Sequence, residues 1–257
     1  MPLRLLVGAV IGILLVALAV PKRILTPMGA ALAFLMLLAI IAFGGYAAAG
    51  YMIAIFGICI AVHLYNKKKK NRHSDGARGL YQVACNGLVG VLSLIVYGIT
   101  GNEAFLVAYY AAIAEMLADT LASDIGTLFP GDPIDICRFR RVPRGRSGGV
   151  SLAGTAVSIL GCLAAFLLAL PSGIGATSAA LAAIAAFGGM LFDSILGSLI
   201  QAKFRCRICR KYTENSTHCG AAAEHTGGVR FIRNSDVNLI ANVFSAALAA
   251  LLYLLTA

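Results

Sequence analysis

The sequence predicts an all-α fold, a polytopic transmembrane helix bundle of about eight spans. Of its 257 residues, 60% are hydrophobic and only 12% are charged, which is typical of a multi-pass membrane protein and excludes an ordinary soluble domain. Apolar runs of spanning length recur along the whole chain. The expected spans cover residues 3–20, 28–43, 46–65, 80–99, 104–122, 150–170, 177–201 and 237–256.

The number of spans depends most on the N-terminal third of the chain. The second span is short, so a tilted or re-entrant segment is an alternative there, and only Gly44-Gly45 separates it from the third. The first run has an alternative as a signal peptide, because Ala17-Leu18-Ala19 resembles a cleavage site. Its length, and Pro21 close behind that site, favour a span instead.

The basic residues predict the orientation of the chain. Of 21 Lys and Arg residues, six lie in 67–78, five in 138–146 and seven in 203–233. With eight spans these three loops fall on one side of the membrane, which the positive-inside rule identifies as cytoplasmic. Both termini then face outward.

Polar side chains divide the sequence into two parts. Residues 1–66 carry almost none and are predicted to form N-terminal membrane scaffold helices, with His63 expected to be an interfacial residue rather than a ligand. Residues 76–257 are predicted to form a catalytic membrane domain with cytoplasmic loops at 127–149 and 202–236. An active site on the cytoplasmic face follows from this division.

The fourth and fifth spans carry polar residues at helical spacing. Gln82 and Asn86 share one face of the fourth span, where they either bond to neighbouring helices or line a polar cavity. In the fifth span, carboxylates and a hydroxyl share one face: Glu115, Asp119 and Ser123. Two unpaired carboxylates inside a bilayer indicate a bound cation or a protonation role.

Asp124 does not fit the face of the fifth span that carries Asp119. Five residues correspond to a rotation of about 140° from Asp119 on an ideal helix. Asp124 therefore either faces elsewhere or lies where Gly126 allows the helix to end.

The loop after the fifth span is predicted to bind phosphate. It contains five arginines within nine residues, and a Gly-Arg-Ser-Gly-Gly-Val-Ser segment that leads into the sixth span but lacks the lysine of a Walker loop. Free backbone amides at a helix start, beside arginines, favour an anion. The expected phosphate ligands are Arg144, Arg146, Ser147, Gly148 and Gly149. Small residues continue into the sixth span, where close helix packing is the alternative explanation: Ser151, Thr155, Ser158 and Cys162.

The seventh span contains a single acid, Asp193, about two turns from its inner end. A lone aspartate at this depth needs a partner. The candidates are Arg144, Arg146 or a metal ion that Asp193 shares with Asp119.

The loop that follows offers four ligands of the kind that zinc prefers. Cys206 and Cys209 form a CxxC motif, and an adjacent His218-Cys219 pair follows. The adjacent pair is not the spacing of common zinc fingers, so a reduced, metal-free loop is the alternative. Four protein ligands would leave no open position, so a zinc ion here is expected to be structural.

Taken together, these motifs resemble the transmembrane-protein-19-like integral membrane proteins, the family of domain of unknown function 92. That family includes the chloroplast phytyl-phosphate kinase of tocopherol synthesis. The matching stretches are QVACNG at 82–87, ADTLASDIG at 118–126, PRGRSGGVSLAGT at 143–155, FDSILGSLIQ at 192–201 and the CxxC…HCG loop. The chain departs from the family at Leu121 (often Trp), at Asp124 (often Glu) and at Asp236, which stands one place later than the family's acid and so disfavours a metal role there.

The resemblance implies nucleotide-dependent phosphorylation of a phytyl or polyprenyl monophosphate, and a distant similarity to dolichol and phytol kinases favours CTP as the donor. The expected partners are a nucleoside triphosphate, the lipid phosphate and the membrane, with no nucleic acid. We expect Mg²⁺ to bind Asp119 and Asp193, with Asp124 and Arg144 completing the catalytic group. The remaining phosphate- or nucleotide-binding candidates are Arg146, Ser147, Gly148, Gly149, Ser151, Asn86, Gln82 and Ser123. A cytidylyltransferase acting on a lipid phosphate and a non-enzymatic lipid or ion transporter are the alternatives.

Overall fold

A computed structural model of the chain describes residues 2–69 and 76–256. The part of the basic loop 67–78 that covers residues 70–75 lies outside the described residues. The described helices are α1 Pro2–Ala19, α2 Pro27–Lys69, α3 Leu80–Thr100, α4 Glu103–Thr120, α5 Leu152–Ala169, α6 Ala176–Leu199 and α7 Asn234–Thr256. The short strands are β1 Ile134–Asp135, β2 Gly149–Val150, β3 Lys203–Arg205, β4 Tyr212–Thr213, β5 Thr217–His218, β6 Ala221–Ala222 and β7 Glu224–Gly227. The predicted all-α membrane bundle is confirmed.

Helix α2 is two antiparallel segments joined at Gly45. Its 43 residues would extend about 64 Å as one straight helix, about twice the hydrocarbon thickness of a bilayer. Gly45 has φ +83°, a conformation that residues other than glycine rarely adopt. A Cβ there would lie 2.7 Å from the Arg4 guanidinium. The chain reverses at this residue, as the predicted division at Gly44-Gly45 requires.

Contacts on either side of Gly45 establish the reversal. The first half runs parallel to α3, because Met36 lies against Gly87 and Phe43 lies against Gly98. The second half runs parallel to α4, since the Tyr51 hydroxyl donates to the Tyr110 carbonyl at 3.2 Å and, further along both helices, Cys59 Sγ lies 3.9 Å from the Met116 carbonyl. Because α3 and α4 are antiparallel and joined by only two residues, the halves of α2 run in opposite directions.

The described part of the chain therefore contains eight helical segments that alternate in direction. Six of the described helices, counting α2 as one, are long and apolar enough to cross a membrane by length and composition, and a shorter apolar helix covers Leu3–Ala19. The Tyr46 hydroxyl donates to the Arg4 carbonyl at 3.0 Å, which places the start of α1 at the same end as the reversal. The described basic residues of the three loops lie at the opposite end of the bundle, which we call the inner end.

Helix α4 is the centre of the bundle. Five other helices surround it in the order α2, α3, α7, α6, α5, and each of the five packs against it. Its residues from Val107 to Ala118 are buried without interruption. Many are alanines, whose small side chains allow neighbouring backbones to approach closely. This central helix carries Glu115 and Asp119, so both carboxyl groups lie inside the bundle and not on its lipid-facing surface.

The inner end of α4 departs from α-helical geometry. A π-helical turn covers Leu121–Ile125 and a short 3-10 turn covers Gly126–Leu128. The start of α5 packs directly against this region, because a Cβ on Gly126 would lie 2.7 Å from the Gly154 Cα. The two glycines together permit the crossing. Below this point α4 no longer fills the centre of the bundle.

Two small β structures cover the inner end. In the first, β1 pairs with β2, so that Asp135 lies opposite Gly149. In the second, β3 is the central strand of a three-stranded antiparallel sheet ordered β4-β3-β7, beside a separate β5-β6 hairpin. We call residues 127–149 the arginine loop and residues 202–233 the cysteine loop.

Candidate functional site

A polar cavity of about 1380 Å³ lies at the inner end, below the point where α4 stops. It is bordered by the inner ends of α2, α3, α4, α5, α6 and α7 and by both loops. All twelve residues predicted to be catalytic or phosphate-binding line it: Gln82, Asn86, Asp119, Ser123, Asp124, Arg144, Arg146, Ser147, Gly148, Gly149, Ser151 and Asp193. The structure thus brings together residues that are more than 100 positions apart in the sequence.

Carboxylates from four separate elements meet in this cavity. Asp119 comes from α4, Asp124 from the π-helical turn, Asp193 from α6 and Glu214 from the cysteine loop. Asp193 interacts electrostatically with Asp119 and with Glu214. One oxygen of Asp193, Oδ2, is buried without a hydrogen-bond partner in the described structure. A buried carboxylate oxygen among like charges has the chemistry of a cation ligand.

The π-helical turn explains the position of Asp124. In a π-helix the backbone bonds join residues five apart, so a residue five positions from Asp119 returns to nearly the same face. The rotation of about 140° expected on an ideal α-helix therefore does not apply here. Asp124 does not face elsewhere; it lines the same cavity as Asp119.

Sequence reasoning missed two residues that hold Asp124. His63 Nδ1 lies 3.2 Å from Asp124 Oδ2, and the Asn66 side chain donates to Asp124 Oδ1. Both residues line the cavity, so the third span contributes to it although it was predicted to be scaffold only. The signal was present: His63 and Asn66 are three residues apart and so share a helix face in a run that is otherwise apolar.

Gln82 and Asn86 both line the cavity, and Asn86 also has the second role that the sequence left open, a bond to a neighbouring helix. Gln82 Oε1 accepts from the Gly79 amide at 3.1 Å and so closes the first turn of α3. Asn86 accepts from Asn238 Nδ2 at 3.1 Å. A chain of side-chain amides continues from there along α7 to the end of α6: Asn238, Asn234 and Gln201. These amides tie α3, α6 and α7 together while presenting polar groups to the cavity.

The arginine loop is attached to α6 through Asp135. Its Oδ1 accepts from Ser198 Oγ at 2.6 Å and from the amides of Arg138 and Cys137 at 2.9 and 3.2 Å. Arg138 also lies 3.6 Å from Oδ2 as an ion pair. Burial acts to raise the pKa of Asp135, but the hydrogen bonds from Ser198 and the two amides outweigh it and hold the pKa below its ordinary value of 3.8.

Lys203 strengthens the same attachment point. Its Nζ donates to the Ser198 carbonyl at 2.5 Å, one of the carbonyls that the end of α6 leaves without a helical partner. Burial, with the nearby charges of Arg138 and Arg146, lowers the pKa of Lys203 from its ordinary 10.5. Asp135 and Lys203 thus fix both loops to one helix end.

The glycine segment differs in part from its predicted role. The Gly149 amide donates to the Arg146 carbonyl at 3.0 Å, so it is not the free phosphate ligand that was expected. Gly148, with φ +81°, packs so closely on α6 that a Cβ would lie 2.5 Å from Ser198 backbone. Ser151 caps α5 by accepting from the Gly154 amide at 3.1 Å. These residues line the cavity but chiefly shape its wall.

The arginines remain oriented toward the cavity. Arg144 is exposed at the rim, and Arg146 lies over the Tyr212 ring with its Cζ 5.6 Å from the ring centroid. Among the described ion pairs none joins Asp193 to either arginine. The expected arginine partner for Asp193 is therefore not found among the described residues.

Glu115 lies above the cavity rather than in its lining. Asn242 Nδ2 donates to Glu115 Oε2 at 2.5 Å, and both residues are fully buried. Gly189 makes room for the pair, since a Cβ there would lie 2.8 Å from the Glu115 Cγ. The contact joins α4 to α7 and gives Glu115 a structural partner that the sequence did not reveal.

The four candidate zinc ligands also come together, outside the cavity. One ligand atom from each of Cys206, Cys209, His218 and Cys219 lies within 4.8 Å of the others. Asp236, whose metal role the sequence disfavoured, accepts from the Arg233 amide at 2.7 Å and fixes the start of α7.

Comparison with known proteins gives a consistent assignment. The chain is 30% identical to an uncharacterised membrane protein of Methanocaldococcus jannaschii, over 68% of this chain and 70% of that protein. It is 28% identical to Protein PGR of Arabidopsis thaliana, over 68% and 69% of the two chains. It is 27% identical to the chloroplastic Protein VTE6 of Arabidopsis thaliana, over 70% of this chain and 57% of that one.

No solved structure matches the chain. The model of one family, described as "Integral membrane protein DUF92", matches residues 10–246, which include every residue that lines the cavity. The chain therefore belongs to the DUF92 family of integral membrane proteins.

Proposed function

We propose that this protein is a membrane-embedded phosphotransferase, which transfers a phosphoryl group from a magnesium-bound nucleoside triphosphate to a phytyl or polyprenyl monophosphate. The observation that carries the proposal is the meeting of Asp119 and Asp193, from different helices, in a polar cavity bordered by Arg144 and Arg146. The family resemblance supplies the substrate class and favours CTP as the donor. The inner end, where the basic loops lie, is proposed to be cytoplasmic.

The cation is the first requirement of this chemistry. Asp119 and Asp193 would supply hard carboxylate oxygens, which Mg²⁺ prefers, and Asp124 would support them. The buried, unpartnered Oδ2 of Asp193 fits such a ligand. The ion would neutralise phosphate charge during transfer.

The phosphates are the second requirement. Arg144 and Arg146 border the cavity with guanidinium groups that match phosphate oxygens in charge and geometry. An oxygen of the acceptor monophosphate would form a bond to the γ-phosphorus, while the bond from that phosphorus to the nucleoside diphosphate breaks. The acceptor is already mostly ionised near pH 7, so no strong general base is needed. These residues would position two polyanions in line.

The acceptor's hydrocarbon tail would remain in the lipid. Helices α3 and α5, which border the cavity, carry exposed leucines that do not line it: Leu88, Leu92 and Leu160. Such a surface suits a prenyl chain whose phosphate alone enters the polar site. Toward the other end, the Glu115–Asn242 pair and the buried core around Tyr109 lie above the cavity. That arrangement favours an enzyme over a transporter that needs a polar path across the bilayer.

An isotope label at a chosen phosphorus of the nucleotide tests the proposal and distinguishes phosphoryl transfer from cytidylyl transfer. Purified protein in lipid nanodiscs would be incubated with phytyl or polyprenyl phosphate and with CTP or ATP labelled at either the α- or the γ-phosphorus. A kinase transfers the γ-label to the lipid, whereas a cytidylyltransferase transfers the α-label and releases pyrophosphate. The matched controls are Asp193→Asn, which should lose transfer, and Glu103→Gln, which makes the same charge change at the opposite end. If no acceptor becomes labelled with any nucleotide, the proposed function is wrong.

A further inference from the structure

The cysteine loop contains a second cluster of chemically distinctive residues, separate from the cavity's carboxylates. Cys209 Sγ lies 3.5 Å from His218 Nδ1, and Cys219 Sγ lies 3.2 Å from the same nitrogen. Cys206 completes the group, since one ligand atom of each residue lies within 4.8 Å of all the others. Ligands about 2.0–2.3 Å from a tetrahedral zinc ion are separated by distances of this size.

The backbone places these ligands at the tips of two hairpins. Cys206 and Cys209 lie in the turn between β3 and β4, where the Cys209 amide donates to Cys206 Sγ at 3.4 Å. His218 and Cys219 lie at the turn between β5 and β6. Cys219 and Gly220 both have positive φ, 53° and 74°, as a tight two-residue hairpin turn requires. A non-glycine residue in this conformation is strained, and a ligand bond would compensate for that strain.

The cysteine loop also lacks a hydrophobic core of its own. Between residues 203 and 227, Phe204 and Cys206 are the buried hydrophobic side chains. A β structure this small, with so little core, is the kind that a disulfide or a metal commonly stabilises. The cysteines are free thiols, so a disulfide does not supply that support.

Two contacts connect this loop to the cavity wall. Ser147 of the arginine loop donates to the Glu214 carboxylate, and Arg146 lies over the Tyr212 ring. Tyr212 and Glu214 both fall between Cys209 and His218 in the chain, so the two ligand pairs enclose the segment that carries them. Whatever fixes the ligands also fixes this part of the wall.

We propose that Cys206, Cys209, His218 and Cys219 bind one structural zinc ion, which positions Glu214 on the cavity wall and Tyr212 behind it, against Arg146. Three thiolates and one imidazole suit zinc, and four protein ligands leave no open position for catalysis. This inference does not depend on the proposed phosphotransferase activity, because zinc content and the position of Tyr212 can be measured without a substrate.

Elemental analysis is the first test. Full-length protein purified without a polyhistidine tag should contain about one zinc per chain. The double variant Cys206→Ser/Cys209→Ser should contain none, while Cys137→Ser, in the arginine loop, should retain it. A folded wild-type protein that is metal-free, or that holds iron instead, overturns the proposal.

Thiol labelling keeps the test decisive if the double variant fails to fold. Cys219 is exposed and should react at once with an alkylating reagent unless zinc holds its sulfur. In the wild-type protein we expect alkylation of Cys206, Cys209 and Cys219 to be slow, and to become at least about 10-fold faster after a zinc chelator is added. Rapid labelling of Cys219 before chelation contradicts a bound metal.

A tryptophan reporter tests the positioning role. The chain has no tryptophan, so Tyr212→Trp introduces a single fluorophore beside Arg146. Chelation should shift its emission to longer wavelength as the wall is released into water. Tyr253→Trp, at the other end of the bundle, should show no shift. If zinc leaves and the emission at position 212 does not change, the ion does not position the wall.

Discussion

His63 Nδ1 lies 3.2 Å from Asp124 Oδ2, so the second half of α2 contacts the π-helical turn at the cavity. We expect His63→Ala to raise the Mg²⁺ concentration needed for half-maximal transfer by about 10-fold or more. Residues that orient a metal ligand typically contribute this much to metal affinity. The measurement is the Mg²⁺ concentration that gives half-maximal transfer, together with maximal rate. Tyr65→Ala, an exposed residue on the same helix, is the control. An unchanged Mg²⁺ requirement in His63→Ala would show that His63 does not position Asp124.

Asp119→Asn and Asp193→Asn should each lower the rate of phosphoryl transfer by more than about 100-fold, while the protein stays folded. Without Mg²⁺ their melting temperatures should equal or exceed the wild-type value, since each substitution removes repulsion between carboxylates. If the two aspartates instead belonged to structural ion pairs, the same substitutions would lower the free energy of unfolding by about 3–5 kcal/mol.

The decisive measurement is the melting temperature with and without the Mg²⁺-nucleotide complex. Wild-type protein and Glu103→Gln should be stabilised by the ligand, and both Asn variants should lose that stabilisation. A shared metal site is excluded if the Asn variants retain the full ligand-dependent shift.

Arg144→Ala should weaken nucleotide binding by about 10-fold or more, the loss expected for one charge-assisted contact. Because Arg144 is exposed at the rim, its removal should leave the melting temperature without ligand nearly unchanged. Binding would be measured by titration calorimetry in nanodiscs. Arg140→Ala removes an equally exposed arginine of the same loop that does not line the cavity, and it should bind nucleotide normally. Equal weakening in both variants would indicate a general charge effect.

Asp135→Ala should destabilise the protein by roughly 2–3 kcal/mol, because Ser198 and two backbone amides lose a buried charged acceptor. The pKa of Asp135 is lowered in the folded protein, so its contribution is fully present above its ordinary pKa of 3.8 and is lost as the pH falls below that value. Thermal unfolding between pH 3 and 7 would measure this. The exposed Asp132→Ala is the control and should change stability little. If the wild type and Asp135→Ala show the same pH dependence, Asp135 does not hold the loop.

Cysteine labelling tests the orientation of the bundle. A membrane-impermeant reagent added to intact cells should label Glu103→Cys, at the end that carries both termini, and should miss Arg140→Cys. Labelling at position 140 alone would place the cavity on the outer side. The test therefore bears on which nucleotide pool the site can use.

Much of the fold followed from the sequence because hydrophobic length is a strong constraint in membranes. Asp119 and Asp193 were found as candidates for the same reason: acids inside apolar spans are costly. The spacing of His63 and Asn66 marks a polar face on the third span, but their contacts with Asp124 could not be predicted, because they depend on a π-helical turn that no periodicity indicates. The Gly149 amide was predicted to be free because the turn that engages it, with the Arg146 carbonyl, is a local bond invisible in the residue types. Nor could a pattern show that Glu115 would meet Asn242, 127 residues later.

The central position of α4 has a consequence for how the protein is made. Carrying Glu115 and Asp119, α4 has the lowest mean hydropathy of the six candidate spans, and acidic residues disfavour the insertion of a helix into the bilayer. Asn242, the hydrogen-bond partner of Glu115, is synthesised more than a hundred residues later. Until α5, α6 and α7 emerge from the ribosome, α4 has only α2 and α3 to shield its acids from lipid. The two-residue link to α3 lets those helices enter the bilayer as a hairpin, so early insertion of α4 depends on its neighbours rather than on its own hydrophobicity.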